Sequence, residues 1–228
     1  MYASFPSTAR PRFEIDADEL FQILISIFAI CLSLALVNAG LKLDPGEFAI
    51  LMAIFALTVG PGFILHEMAH KYFAIKYGAH ARFTAWTWGL GLMLALAIIP
   101  QLLGIQFPLF LAPGAVMIYA MRPLSSRENG IISLAGPATN IAIAMLFFVL
   151  GVILMASGGS FALTATRAIP LWTVALIGLQ VNLGLAAFNL LPFFPLDGAK
   201  VMAWNWKIWL AAFLIAFLGA GSLSGMLG

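Results

Sequence analysis

Uncharged apolar runs recur along almost the whole chain, each about as long as a bilayer is thick: Leu20–Ala39, Phe48–Leu65, Ile131–Ala156, Leu171–Leu191 and Ile208–Leu227. A run of about 18 or more such residues reads as a membrane-spanning helix, because about 20 residues of helix cross the roughly 30 Å hydrocarbon layer. Composition points the same way. The 228 residues are 63% hydrophobic and only 9% charged, against roughly 25% charged in a soluble domain, and no soluble shape could hide that much apolar surface. The expected fold is an all-α polytopic membrane protein of about five to six transmembrane helices. A net charge of +2 gives no reason to expect a nucleic-acid partner. The lone cysteine, Cys31, rules out an internal disulfide or a cysteine metal cluster and reads as a small packing residue.

Residues 1–19 are polar and of mixed charge, and read as a short tail ahead of a single transmembrane domain, 20–228. Val37-Asn38-Ala39 looks like a signal-peptide cleavage site, but the run before it is long and four acids precede it, so a retained first span is expected. The region 89–120 is irregular: Pro100, Gly104, Pro108, Pro113 and Gly114 break it into pieces too short to span. If it enters and leaves on one side, as a helical hairpin or an extended re-entrant segment, then Arg10, Arg12, Lys71, Lys76, Arg82, Arg122, Arg127, Lys200 and Lys207 share that side. Lys42 and Arg167 are left on the other. That bias makes the first side cytoplasmic, with the C-terminus outside.

Only two of the nine acids, Glu67 and Asp197, lie within apolar sequence, and two of the three histidines flank Glu67. Ionisable groups in a membrane segment are expensive and mark function by default. His66 and His70 are four residues apart, one above the other on one helix face, and can offer two nitrogens to one Zn²⁺. Glu67 then stands beside the metal as a general base, the His-Glu-x-x-His arrangement. Zinc brings the pKa of a water it holds to about 7, which suits hydrolysis where water is scarce. A third ligand is expected. Asp197 is the best-placed candidate, because in the re-entrant topology its helix runs in the same direction as that of His66 and His70; its alternative is a helix cap. From Phe48 to His66 is 18 residues, about 27 Å of helix, so the site is expected below the cytoplasmic surface. His80 reads as a solvated residue, Lys71 and Lys76 as snorkelling to the interface, and Trp86, Trp88, Trp204, Trp206 and Trp209 as interfacial anchors.

Three elements together resemble the site-2 protease family of intramembrane zinc metalloproteases, in a prokaryotic or archaeal-like minimal form without PDZ or CBS domain. They are His66-Glu67-Met68-Ala69-His70, Ala135-Gly136-Pro137-Ala138-Thr139-Asn140 opening a later helix, and Asn189-Leu190-Leu191-Pro192 running on to Asp197-Gly198. The resemblance covers roughly residues 48–200. It implies one catalytic zinc held by His66, His70 and Asp197, with Glu67 as general base and acid. It also implies that Asn140 helps stabilise the reacting carbonyl, with Asn189 a second polar residue near the site. The implied reaction is cleavage of a transmembrane protein substrate in the lipid bilayer, and the small size suggests a prokaryotic plasma membrane. If residues around Phe107–Tyr119 are extended, they could offer an edge for pairing with an unwound substrate.

Other readings are open to the same residues. A metal-ion transporter needs polar groups in both halves of the membrane, and here they cluster towards one side. A non-catalytic scaffold predicts no consequence from losing Glu67. A membrane zinc protease with a glutamate third ligand lacks a second intramembrane glutamate.

Overall fold

A computed structural model describes residues 11–40, 44–105, 113–162 and 168–224. Arg10, Lys42, Arg167 and the stretch 106–112 lie outside the described residues. The elements run α1 (Ala17–Ala39), α2 (Pro45–Lys76), β1 (Ala79–Ala85), α3 (Thr87–Leu102), β2 (Gly114–Ala120), α4 (Ser126–Ser157), β3 (Ser160–Ala162), β4 (Ala168–Pro170), α5 (Leu171–Asn189), α6 (Asp197–Trp204) and α7 (Trp206–Ser224). Helices α1, α2, α4 and α5 are long and apolar enough to cross a membrane, and α3 and α7 supply two shorter apolar helices. Of the five apolar runs expected to span, four are thus long helices among the described residues and the last is the shorter α7, while α3 belongs to the broken region 89–120.

Local chemistry sets the helix starts. Asp16 Oδ1 accepts the Glu19 amide at 2.8 Å and Asp44 Oδ1 that of Glu47 at 2.9 Å. Ser125 and Glu128 form a reciprocal capping box. Each satisfies donors that a helix start leaves open. In the middle of α2, Pro61 has no amide hydrogen to give the Leu57 carbonyl. Gly62 beside it has a packing use. A Cβ on Gly62 would strike the Asn182 side chain of α5, so the missing side chain is what lets the helices close.

The helices α2, α4 and α5 form the centre, with α1 against α2 and α7 against α5. Ile30, Phe55, Val59, Phe63, Phe83 and Leu185 fill the space between α1, α2, β1 and α5. The start of α1, the end of α2, both strands β1 and β2, the start of α4 and helix α6 gather at one end of the bundle.

Region 89–120 leaves that end and returns to it. Helix α3 runs beside α1 far enough for Gln101 to donate to the Leu36 carbonyl at 2.9 Å. The return brings the Pro113 carbonyl to 2.8 Å from the Trp86 amide. Strand β2 then pairs antiparallel with β1, Phe83 opposite Val116 and Ala85 opposite Gly114. Among the described residues the region therefore holds a helix that leaves this end and a strand that lies at it.

Two expectations need correction. The last residues of the polar tail pack onto the bundle. Glu19 is buried, Lys71 is buried, and Lys71 Nζ lies 2.6 Å from Glu19 Oε2 and 2.5 Å from the Glu14 carbonyl. Arg82 pairs with Asp16 and Asp18. Lys71 does not snorkel, because a carboxylate from α1 meets it inside. Nor is Trp209 an interfacial anchor: its indole donates to the Leu190 carbonyl at 2.7 Å and its ring stacks on Phe213. Trp204 packs on Gly130, while Trp86, Trp88 and Trp206 are exposed.

Candidate metal centre

Thr58, Gly62, His66 and His70 follow one another at four-residue spacing, so they form one stripe along α2. That stripe faces α4 and α5. His66 and His70 are buried, with their Nε2 atoms 3.0 Å apart. Asp197, at the first turn of α6, brings Oδ2 to 3.6 Å from His66 Nε2 and 3.1 Å from His70 Nε2. One ligand atom from each of the three lies within 4.8 Å of the other two.

Small residues make this convergence possible. Gly136 of α4 lies against both imidazoles, and a Cβ there would overlap His66 Nε2 and His70 Nε2. Gly198, directly after Asp197, lies so close to the Leu190 and Leu191 carbonyls that a side chain would collide with the end of α5. The glycines of the Ala135–Asn140 and Asp197-Gly198 motifs are therefore steric requirements for bringing the three side chains together.

The tautomers follow from the hydrogen bonds. His70 Nδ1 lies 2.7 Å from the Ile132 carbonyl, which can only accept, so Nδ1 carries the proton. His66 Nδ1 lies 2.5 Å from Asn140 Oδ1. Asn140 is oriented in turn, because its Nδ2 donates to the Gly62 carbonyl at 3.2 Å and to Asn182 Oδ1 at 3.1 Å. With both Nδ1 atoms protonated, each neutral ring turns a lone pair on Nε2 towards the other and towards the Asp197 carboxylate. Three electron-pair donors facing each other have no proton to share, and a cation between them removes the conflict. Two imidazoles and a carboxylate are a zinc donor set, and a proton given by the far ring nitrogen to a carbonyl is the usual support of a ligating histidine. These residues fit zinc.

Glu67 is buried one residue along from His66, and its Oε2 has no hydrogen-bond partner among the described residues. The carboxylate lies against the Val116 backbone of β2. Between β2 and the helices is a cavity of about 720 Å³ lined by His66, Glu67, His70, Asn140, Asn189 and Asp197. All six residues singled out in the sequence thus meet on one cavity. His80 lies on β1 and is not part of the group.

Asn140 does not fit the role expected for it. Its oxygen and both its amide hydrogens are taken up by His66, Gly62 and Asn182, so it orients a histidine and has no donor to spare for a substrate carbonyl. Asn189 donates to the Leu185 carbonyl at 3.0 Å and lines the cavity. Sequence reading missed Asn182, fully buried on α5. An amide in so apolar a run, seven residues before Asn189 and hence on the same helix face, was the available signal.

Strand β2 completes the cavity wall. The Phe83 amide donates to Glu19 Oε1 and the Ala85 amide to Gln22 Oε1, each at 2.9 Å. These amides point away from β2, so their partners Val116 and Gly114 turn their own backbone groups away from β1. One outer edge of the sheet is thereby capped by α1. The other, on β2, faces the cavity with no strand on it among the described residues.

Comparison with known proteins agrees with this chemistry. The model of peptidase family M50 matches residues 54–168. A protein of Methanocaldococcus jannaschii, provisionally named a zinc metalloprotease, is 40% identical over 199 residues, 86% of this chain and 90% of its own length. Another of Bacillus subtilis, with the same provisional name, is 31% identical over 67% of this chain and 68% of its own. A second M. jannaschii protein, named a zinc metalloprotease, is 25% identical over 68% of this chain and 34% of its own. No solved structure matches the chain.

Proposed function

The chain belongs to peptidase family M50, and from that membership and the buried site we propose that it cuts peptide bonds within the membrane-spanning segments of other proteins. It is an integral membrane zinc metalloprotease; the substrate class, the roles of individual residues and the side of the membrane are our reading. The observation that carries it is the convergence of His66, His70 and Asp197 on one cavity beside a buried Glu67 whose Oε2 has no hydrogen-bond partner among the described residues.

When bound, zinc supplies a Lewis acid that polarises the scissile carbonyl and acidifies water. His66, His70 and Asp197 would hold it. Glu67 takes a proton from water as the water oxygen bonds to the carbonyl carbon, and returns it to the amide nitrogen as the C–N bond breaks. Asn189 is the amide available to the developing oxyanion. A helical substrate must first give up the hydrogen bonds of its scissile carbonyl. Backbone groups of Gly114 and Ile118 and the Val116 carbonyl on the free edge of β2 can replace them, holding the substrate as an added strand next to Glu67. Described basic residues such as Lys71, Lys76, Arg82, Arg122 and Lys200 belong to elements at the site end, which supports a cytoplasmic orientation in a prokaryotic plasma membrane. The domain would be 20–228, with its core at 48–200.

The test is cleavage of a purified single-span substrate, with the cut mapped by mass spectrometry. Cuts inside the apolar segment that stop on zinc removal are expected. Cuts confined to soluble flanks, or insensitive to chelation, would sink the intramembrane reading.

A further inference from the structure

Asn182 lies on α5 with no exposed surface and no place in the mechanism above. Its Nδ2 donates to the Thr58 carbonyl of α2 at 3.1 Å and to the Gly178 carbonyl one turn back at 2.8 Å. Backbone carbonyls only accept, so the amide cannot be turned round, and its Oδ1 must face α4. There it accepts Asn140 Nδ2 at 3.1 Å, whose other hydrogen goes to the Gly62 carbonyl. Asn140 is therefore also fixed, with Oδ1 on His66 Nδ1. Every donor and acceptor in this chain has a set direction, and the direction is set by main-chain carbonyls.

The packing is built around the same contact. Gly62, between Thr58 and His66 on the α2 stripe, leaves the space that the Asn182 amide fills, since a Cβ there would overlap Asn182 Oδ1. We propose that Asn182 is a positioning residue for the metal centre, acting through Asn140 to hold the His66 proton on Nδ1 and so keep Nε2 available as a ligand. The inference rests on the reading of His66 as a zinc ligand. A plain inter-helix bridge would hold α5 to α2 and α4, but would leave zinc affinity in the folded protein unchanged.

The readout is zinc affinity, from titration against a competing chelator, together with the visible absorption of the cobalt-loaded protein. Outer partners of metal-bound histidines typically change affinity by about 10–100-fold. Asn182→Leu removes both the acceptor and the donors, and a loss of about tenfold is expected. Asn182→Ala, which opens space instead of filling it, should show the same direction if the leucine variant does not fold. Because Asn182 works through Asn140, adding Asn182→Leu to Asn140→Leu should cost nothing further. Wild-type affinity in both the leucine and alanine variants, or fully additive losses in the double variant, would overturn the proposal. If the wild-type protein itself takes up no zinc, the metal reading fails instead, and that outcome is distinguishable from the others.

Discussion

Gly136 shows how much a site can depend on an atom that is missing. Its α-carbon faces two imidazole nitrogens, and the space is filled by even one methyl group. Gly136→Ala should therefore lower zinc affinity while the protein stays folded, because the overlap falls on the ligand atoms and not on the backbone. Zinc titration beside a thermal melt separates the two; unchanged affinity would mean that the rings do not need this approach. At the same scale, Asp197→Asn should lose zinc more severely than Asn189→Ala, which touches no proposed ligand and should lower turnover instead. His66 and His70 are legible in the sequence because their relation is local, one helical turn. Asp197 is 127 residues beyond His70, and only the direction of two helices and a family pattern link them. Asn182 stayed hidden because its meaning lies in Thr58 and Asn140, on two other helices.

Among elements, the strand β2 and the helix α1 carry the most testable statements. The Ile118 amide points away from β1, so Ile118→Pro removes a donor from the free edge without taking a bond from the pair or the Val116 amide from Glu67. Cleavage should fall sharply with zinc retained; full activity would remove the strand-addition part of the reading. Across the sheet, Glu19 and Lys71 tie α1 to α2 and β1, both side chains at 2% exposure. Removing one partner of a buried pair typically costs about 3–5 kcal/mol, whereas replacing both by apolar residues is often neutral. Glu19→Leu should thus lower the melting temperature, and adding Lys71→Met should recover most of it. If the double variant is as unstable as the single one, the stranded charge is not what destabilises it. Neither feature could be read from sequence. Region 89–120 announced its breaks through proline and glycine, but the pairing of Gly114–Ala120 with Ala79–Ala85 is a long-range choice. Glu19, in the first turn of α1, read as part of the polar tail because the lysine that meets it is 52 residues away.

For the whole molecule, alternating helices place the start of α1, the end of α2, the start of α4 and helix α6 at one end, and the sheet closes that end over the cavity. Apolar run lengths foretold the spanning helices, since bilayer thickness dictates them, and the uneven spread of basic residues foretold which ends gather together. The orientation itself can be measured. A cysteine placed at Arg127 should react with a membrane-impermeant thiol reagent only from the cytoplasmic side, with buried Cys31 silent. Labelling from outside intact cells would invert the topology. The central claim is that a buried carboxylate beside a two-histidine, one-aspartate centre performs proteolysis, and the most direct measurement compares wild type with Glu67→Gln. A single-span substrate is incubated with each in detergent, and bound zinc is quantified in both. About one zinc in each protein, with cleavage by the wild type and a loss of about 10²-fold or more in the variant, is the predicted result. Equal cleavage by both proteins would contradict it, and so would a wild-type protein that holds no zinc.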